Sequence, residues 1–305
     1  MKKSQIITLV ILFIAVSLFI WIGACSDDNN KTNDPSPTMK INTPAAETPS
    51  SDNTATATPD VTPTATPNNV VTKPTVDFSQ LSGLSNSELE PYVTYEEGNP
   101  SSAAFSSAAT KAALEQASYI LSAPGTDTKN IHLSFMLHYS DVNSKVTKIL
   151  DIAKNKNVKF TFYISSMYLN DSANEEIIKR MFNEGHTIGS RGDKSIDQLY
   201  VSAETLYNSL WEMETKYAQI VGEGNRMYFY APDTISHRNV KLANLMGYTV
   251  TFKFSNFVTD SGTRSEAYNG VVFQSSNITD DLVTEVESFV NWGLSQNYTF
   301  KGFTK

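Results

Sequence analysis

The sequence predicts an α/β fold, a distorted barrel of about seven strand–helix units, preceded by a disordered stalk. Three observations predict it. From residue 130 to 305, strand-like apolar runs alternate with amphipathic helix-like runs, the pattern of parallel βα units. Residues 26–76 hold eight of the chain's 12 prolines and no Phe, Trp, Tyr or Gly. The chain opens with Lys2-Lys3 followed by the apolar run Ile6–Ile22.

The opening residues have the form of a secretory signal, and Gly23-Ala24-Cys25 places a cysteine directly after small residues. This resembles a bacterial lipoprotein signal, residues 1–25, in which Cys25 is the lipidated residue. An uncleaved transmembrane anchor is the other reading, and the run is near the lower length limit for spanning a bilayer. Either way the expected location is the extracytoplasmic face of a bacterial membrane. Cys25 is the only cysteine, so the rest of the chain holds no internal disulfide and depends on its apolar core. Residues 26–76 have too little apolar surface to offset chain entropy, and their Thr-Ala-Thr-Pro repeats favour an extended linker. A net charge of −8 excludes nucleic acid as a natural partner and disfavours anionic polymers.

Residues 77–129 read as a transition segment, with Ala-rich Ser101–Leu121 as a helix that Pro124-Gly125 ends. The expected strands are Ile131–Leu137, Val158–Ile164, Arg226–Tyr230, Tyr248–Phe254, Val271–Gln274 and Tyr298–Phe303. The expected helices are Val142–Lys154, Ala173–Asn183, Ala203–Ile220, Arg238–Met246 and Asp281–Leu294. Sites in such a barrel are expected at the carboxyl ends of its strands.

Three segments carry a resemblance to a family. Val158-Lys159-Phe160-Thr161-Phe162-Tyr163, Glu184-Gly185-His186-Thr187-Ile188-Gly189 and Leu242-Ala243-Asn244-Leu245-Met246-Gly247-Tyr248 are similar, in order and spacing, to framework motifs of the NodB-type polysaccharide deacetylases. The resemblance spans residues 130–305 and implies a deacetylase-like distorted (β/α) barrel. It also implies a chemistry: a metal held by one Asp and two His, a second Asp as base, an orienting Arg and a late His. At those positions the sequence has Met136 and Leu137 for the acids and Arg191 and Ser195 for the histidines. Tyr230 stands for the Arg and Ser276 near the late His. Leucine offers no donor atom, a thioether is a poor ligand for Zn²⁺, and a guanidinium has no lone pair to give.

The expectation is therefore a catalytically degenerate domain with no cofactor, binding a cell-wall or surface glycan or an envelope protein. Two alternatives stay open. One is an active metal-dependent deacetylase whose divalent metal, such as Zn, is relocated to His138, Asp193 and Asp233. The other is a purely structural envelope protein. Asp141 and Ser236 suit helix N-caps. Arg191 is expected to fill the vacated metal position and to pair with Asp193 or Asp233. Tyr139, Tyr168 and Tyr230 are expected to ring the cleft, with Tyr230 the most exposed of them. His186 is expected to make a buried hydrogen bond.

Overall fold

The computed structural model describes residues 71–90, 94–96, 99–105, 107–115, 117, 119–120, 129–138, 143–252 and 271–305. The signal with Cys25, the linker to residue 70, Tyr139 and Asp141 lie outside the described residues. Among those described, an antiparallel pair comes first, β1 (Thr94–Glu96) with β2 (Asn99–Ala104). Then follow α1 (Ala108–Ala113), β3 (Tyr119–Ile120), β4 (Asn130–Met136), α2 (Asn143–Lys156) and β5 (Thr161–Ser165). Next are α3 (Ser166–Asn170), α4 (Glu175–Asn183), β6 (Thr187–Gly192), α5 (Ala203–Val221) and β7 (Phe229–Tyr230). The chain closes with α6 (His237–Leu245), β8 (Thr249–Thr251), β9 (Val271–Ser276), α7 (Asp280–Ser295) and β10 (Thr299–Phe300).

The main sheet is parallel throughout, β9 and β10 both pairing with β4 and the order running on through β5, β6, β7 and β8 to β3. A parallel sheet covered by helices buries both faces of its central strands, so such strands read as unbroken apolar runs. β4 is buried in this way, every residue from Ile131 to Leu137, although His132 and Ser134 interrupt its apolar run. Phe135 stacks on Phe162 at 5.4 Å between ring centroids and meets Phe160 edge-on at 5.5 Å.

β10 is inserted rather than added at an edge. Leu137 N donates to Tyr163 O across the β4–β5 seam at 2.9 Å. On that same edge of β4, Thr299 N donates to Lys129 O and Lys301 N to Ile131 O, at 2.6 and 3.1 Å. Lys159 N, just before β5, reaches Phe300 O from the other side at 3.3 Å. The seam is thus split at its amino end and filled by β10. Phe303 then caps that end: its N–H donates to Thr161 Oγ1 at 3.0 Å, its carbonyl accepts from Thr187 Oγ1 at 2.6 Å, and its ring stacks on His132 at 5.3 Å.

Four expectations are corrected, and one strand is added to those expected. Ser101–Leu121 is not one helix: residues 99–104 pair as β2, and the helix begins only at Ala108, where the Ser107 hydroxyl accepts from Thr110 N at 3.2 Å. Alanine content is a weak prior, and a serine that caps the chain this firmly sets the start instead. The strand expected at Tyr298–Phe303 is limited to Thr299–Phe300, and the one at Arg226–Tyr230 to Phe229–Tyr230. Thr187–Gly192 is a central strand although nothing in its composition announces one. Residues 73 and 74, assigned to the linker, already dock on α5, where Lys73 Nζ donates to Asn208 Oδ1 at 2.9 Å and the Tyr207 hydroxyl to Pro74 O.

Candidate functional site

The mouth of the barrel is built where β4, β6 and β7 end. Met136 and Leu137 are buried there, at 3% and 0% exposure, so their side chains are part of the core. Their carbonyls both accept from Arg191. β5 and β6 pair Ile164 with Ser190 and then Ser165 with Gly192, so Arg191 is the extra residue of a bulge. A bulge re-aims the side chain it displaces. This one sends Arg191 past β5: Nη1 donates to Leu137 O at 3.0 Å and to Met136 O at 3.3 Å, and Nη2 donates to Asp233 Oδ1 at 3.1 Å. Arg191 is buried, and Lys194 pairs with the other oxygen of Asp233. A planar fork with donors on both sides satisfies two carbonyls and a carboxylate at once, which a lysine ammonium does not match in geometry.

Gly189 sets how closely the strands approach here. A Cβ on it would lie 2.6 Å from the Tyr163 ring and 3.0 Å from Phe229 O. Tyr230, facing the mouth in sequence, is 1% exposed, its hydroxyl donating to Gln198 Oε1 at 2.6 Å. Burial pushes its phenol well above the usual value. Tyr168 is also fully buried. The expected aromatic ring around the cleft is therefore not formed by these two tyrosines. Tyr168 is turned into the core from α3, and Tyr230 is bonded to Gln198 of the loop after β6, neither of which a strand-by-strand reading sees.

Asp193 does not join the arginine. Its Oδ1 accepts from Ser166 Oγ, Ser195 N and Ser195 Oγ at 2.8, 2.8 and 2.7 Å, and Oδ2 accepts from Ser209 Oγ at 3.2 Å. Burial works to raise its pKa, and these bonds together outweigh it, holding the carboxyl below its ordinary value. Ser195 is exposed and closes an Asx turn on Asp193. His138 is half-buried just past the end of β4, and Ser276 stands opposite Met136 in register.

The relocated metal site of His138, Asp193 and Asp233 is not assembled. Asp193 is held by serines and Asp233 by two cations, and no group of three or more His, Cys, Asp or Glu suited to a metal exists among the described residues. The residues at the mouth do not fit a divalent metal: Arg191 and Lys194 are donors only, and their charges oppose one. His186 is a framework group. Its Nδ1 accepts from Phe160 N at 3.0 Å, and burial lowers its pKa to about 4. Three partners at this site leave no local mark in the sequence: Lys194 on Asp233, Gln198 on Tyr230, and Ser209 on Asp193. The Asp193-x-Ser195 spacing was the one local signal, as a turn motif.

Residues 123–251 match the family model described as Polysaccharide deacetylase. The chain is 26% identical over 186 residues to an uncharacterized 30.6 kDa protein of Geobacillus stearothermophilus, covering 57% of this chain and 69% of that protein. It is 25% identical over 189 residues to the peptidoglycan-N-acetylmuramic acid deacetylase PdaA of Bacillus subtilis, covering 58% and 70%. A family 4 carbohydrate esterase structure from Bacillus anthracis superposes with a TM-score of 0.58 at 21% identity, over 72% of this chain and 96% of that one, a likeness of fold.

Proposed function

We propose that this chain, whose residues 123–251 match the polysaccharide deacetylase family model, recognises envelope glycan without hydrolysing it. The observation that carries this reading is Arg191, buried and bonded to the carbonyls of Met136 and Leu137 and to Asp233. In the family's pattern that position is a metal ligand. Deacetylation through a metal needs lone pairs that polarise a water and a base that takes its proton. The mouth supplies a fixed cation pair on one carboxylate instead. The domain is tethered through Cys25 to the extracytoplasmic face of a bacterial membrane, with residues 26–70 as the spacer. A glycan is favoured over an envelope protein as partner because the fold's relatives include a peptidoglycan deacetylase.

The test is metal content measured together with acetate release from chitin oligomers and peptidoglycan, and binding to the same glycans. Less than one-tenth equivalent of bound metal, no acetate and measurable glycan binding are expected. Stoichiometric metal with acetate release refutes the reading. Binding to an envelope protein and to no glycan replaces the partner.

A further inference from the structure

A pocket of about 360 Å³ lies beside the mouth, between α3, α5 and the loop that follows β6. Its size is at the lower end of ordinary small-ligand pockets, roughly 300–1,000 Å³. Its polar wall is formed by Ser166, Asp193, Ser195, Ser209 and Glu212, with Asn170 and Lys216 as the lining side chains that carry N–H donors. Met167 and Met213 supply apolar surface.

The hydrogen bonds in this wall determine what it can accept. A serine hydroxyl has one proton and two lone pairs. All three serines spend that proton on Asp193. Three bonds fall on Oδ1, and Oδ2 takes the single one from Ser209, which leaves it acceptor capacity. The part of the wall around Asp193 therefore offers mainly lone pairs: the hydroxyl oxygens of Ser195 and Ser209, the second oxygen of Asp193, and the Glu212 carboxylate. Lys216 is the one cation against two carboxylates, so the lining carries one net negative charge. A complementary ligand brings many donors, a positive charge and an apolar face.

We propose that this pocket binds an amino sugar whose amine is free, a de-N-acetylated hexosamine unit of a glycan; this rests on the reading of the chain as a glycan-recognising domain. The ammonium faces Asp193 and Glu212, ring hydroxyls donate to the serine oxygens, and the C–H face of the ring lies on the methionines. An N-acetyl group is selected against, because beside the carboxylates of Asp193 and Glu212 it replaces a charged triple donor by one neutral N–H. The chain's net charge of −8 favours approach of a cationic glycan.

The test is calorimetric titration of the full chain with a glucosamine pentamer and an N-acetylglucosamine pentamer at matched ionic strength. The glucosamine pentamer is expected to bind about tenfold more tightly. Glu212→Gln is expected to weaken it about three- to tenfold. Glu287→Gln, which removes the same charge from an exposed site on α7, is expected to leave it unchanged. Both are exposed positions, so neither substitution puts folding at stake. Equal binding of the two pentamers, binding of neither, or equal weakening by Glu212→Gln and Glu287→Gln overturns the proposal. Equal binding leaves glycan recognition standing, whereas acetate release from the wild-type chain removes that reading and the proposal that rests on it.

Discussion

Replacing Arg191 by Met is the most informative perturbation of the mouth. The side chain is buried and its two terminal nitrogens donate to three acceptors, the carbonyls of Met136 and Leu137 and the carboxylate of Asp233. Methionine fills a similar length and donates nothing. Asp233 is 41% exposed and keeps Lys194, so a stranded carboxylate adds little. The cost comes from the Met136 and Leu137 carbonyls, each losing a charged donor in a dry site, about 1–3 kcal/mol apiece before relaxation. Partial rehydration brings the expected total to about 2–4 kcal/mol. In a domain of this size that lowers Tm by roughly 4–16 °C. Thermal and urea unfolding of the full chain measure it, with Arg191→Lys as the control that keeps the charge and loses the fork, at about half the effect. A Tm within about 1 °C of wild type for Arg191→Met would falsify the view that this guanidinium ties β4 to the loop after β7.

Other measurements follow from the same geometry. His132 and His186 stay neutral in the fold down to about pH 4, whereas an unfolded chain protonates them near 6.5. The unfolded state therefore binds more protons between those values, and stability should fall as pH drops from 6.5 to 4, by up to a few kcal/mol; urea midpoints that are flat across that window would contradict the assignment. Gly189→Ala pushes a methyl into the Tyr163 ring and should cost about 1–3 kcal/mol, read as a lower urea midpoint. Tyr230→Phe leaves the buried Gln198 Oε1 without its donor and should cost about 1–2 kcal/mol with no change in glycan binding, and a change in binding would show that Tyr230 reaches the ligand after all.

Much of the frame is legible in sequence, and the reasons are physical. β4 is rich in apolar residues (Ile131, Leu133, Phe135, Met136) because it is buried, and α4 shows its buried stripe at Ile177, Ile178 and Met181. β6 is not legible. Its residues Thr-Ile-Gly-Ser-Arg-Gly include two glycines, one of them required by the Tyr163 ring, and a buried arginine. The positions where the family's pattern changes are also visible, because they are changes of residue type. Where those side chains go is not. The aim of Arg191 depends on a bulge, the burial of Tyr230 on a glutamine 32 residues away, and the serine cage of Asp193 on two separate helices.

The inserted strand β10 bears on how the domain is made. Its neighbours β4 and β5 lie in the first half of the domain, and the bond from Phe303 to Thr161 spans 142 residues of sequence. Until residues 299–303 arrive, the amino end of the β4–β5 seam has open backbone donors and acceptors and His132 lacks its stacking partner. A barrel whose middle is finished by its last strand has a high contact order and folds slowly. The sheet is completed only after nearly the whole domain has left the ribosome, so a chain interrupted before residue 299 has every βα unit but no closed seam between its first two.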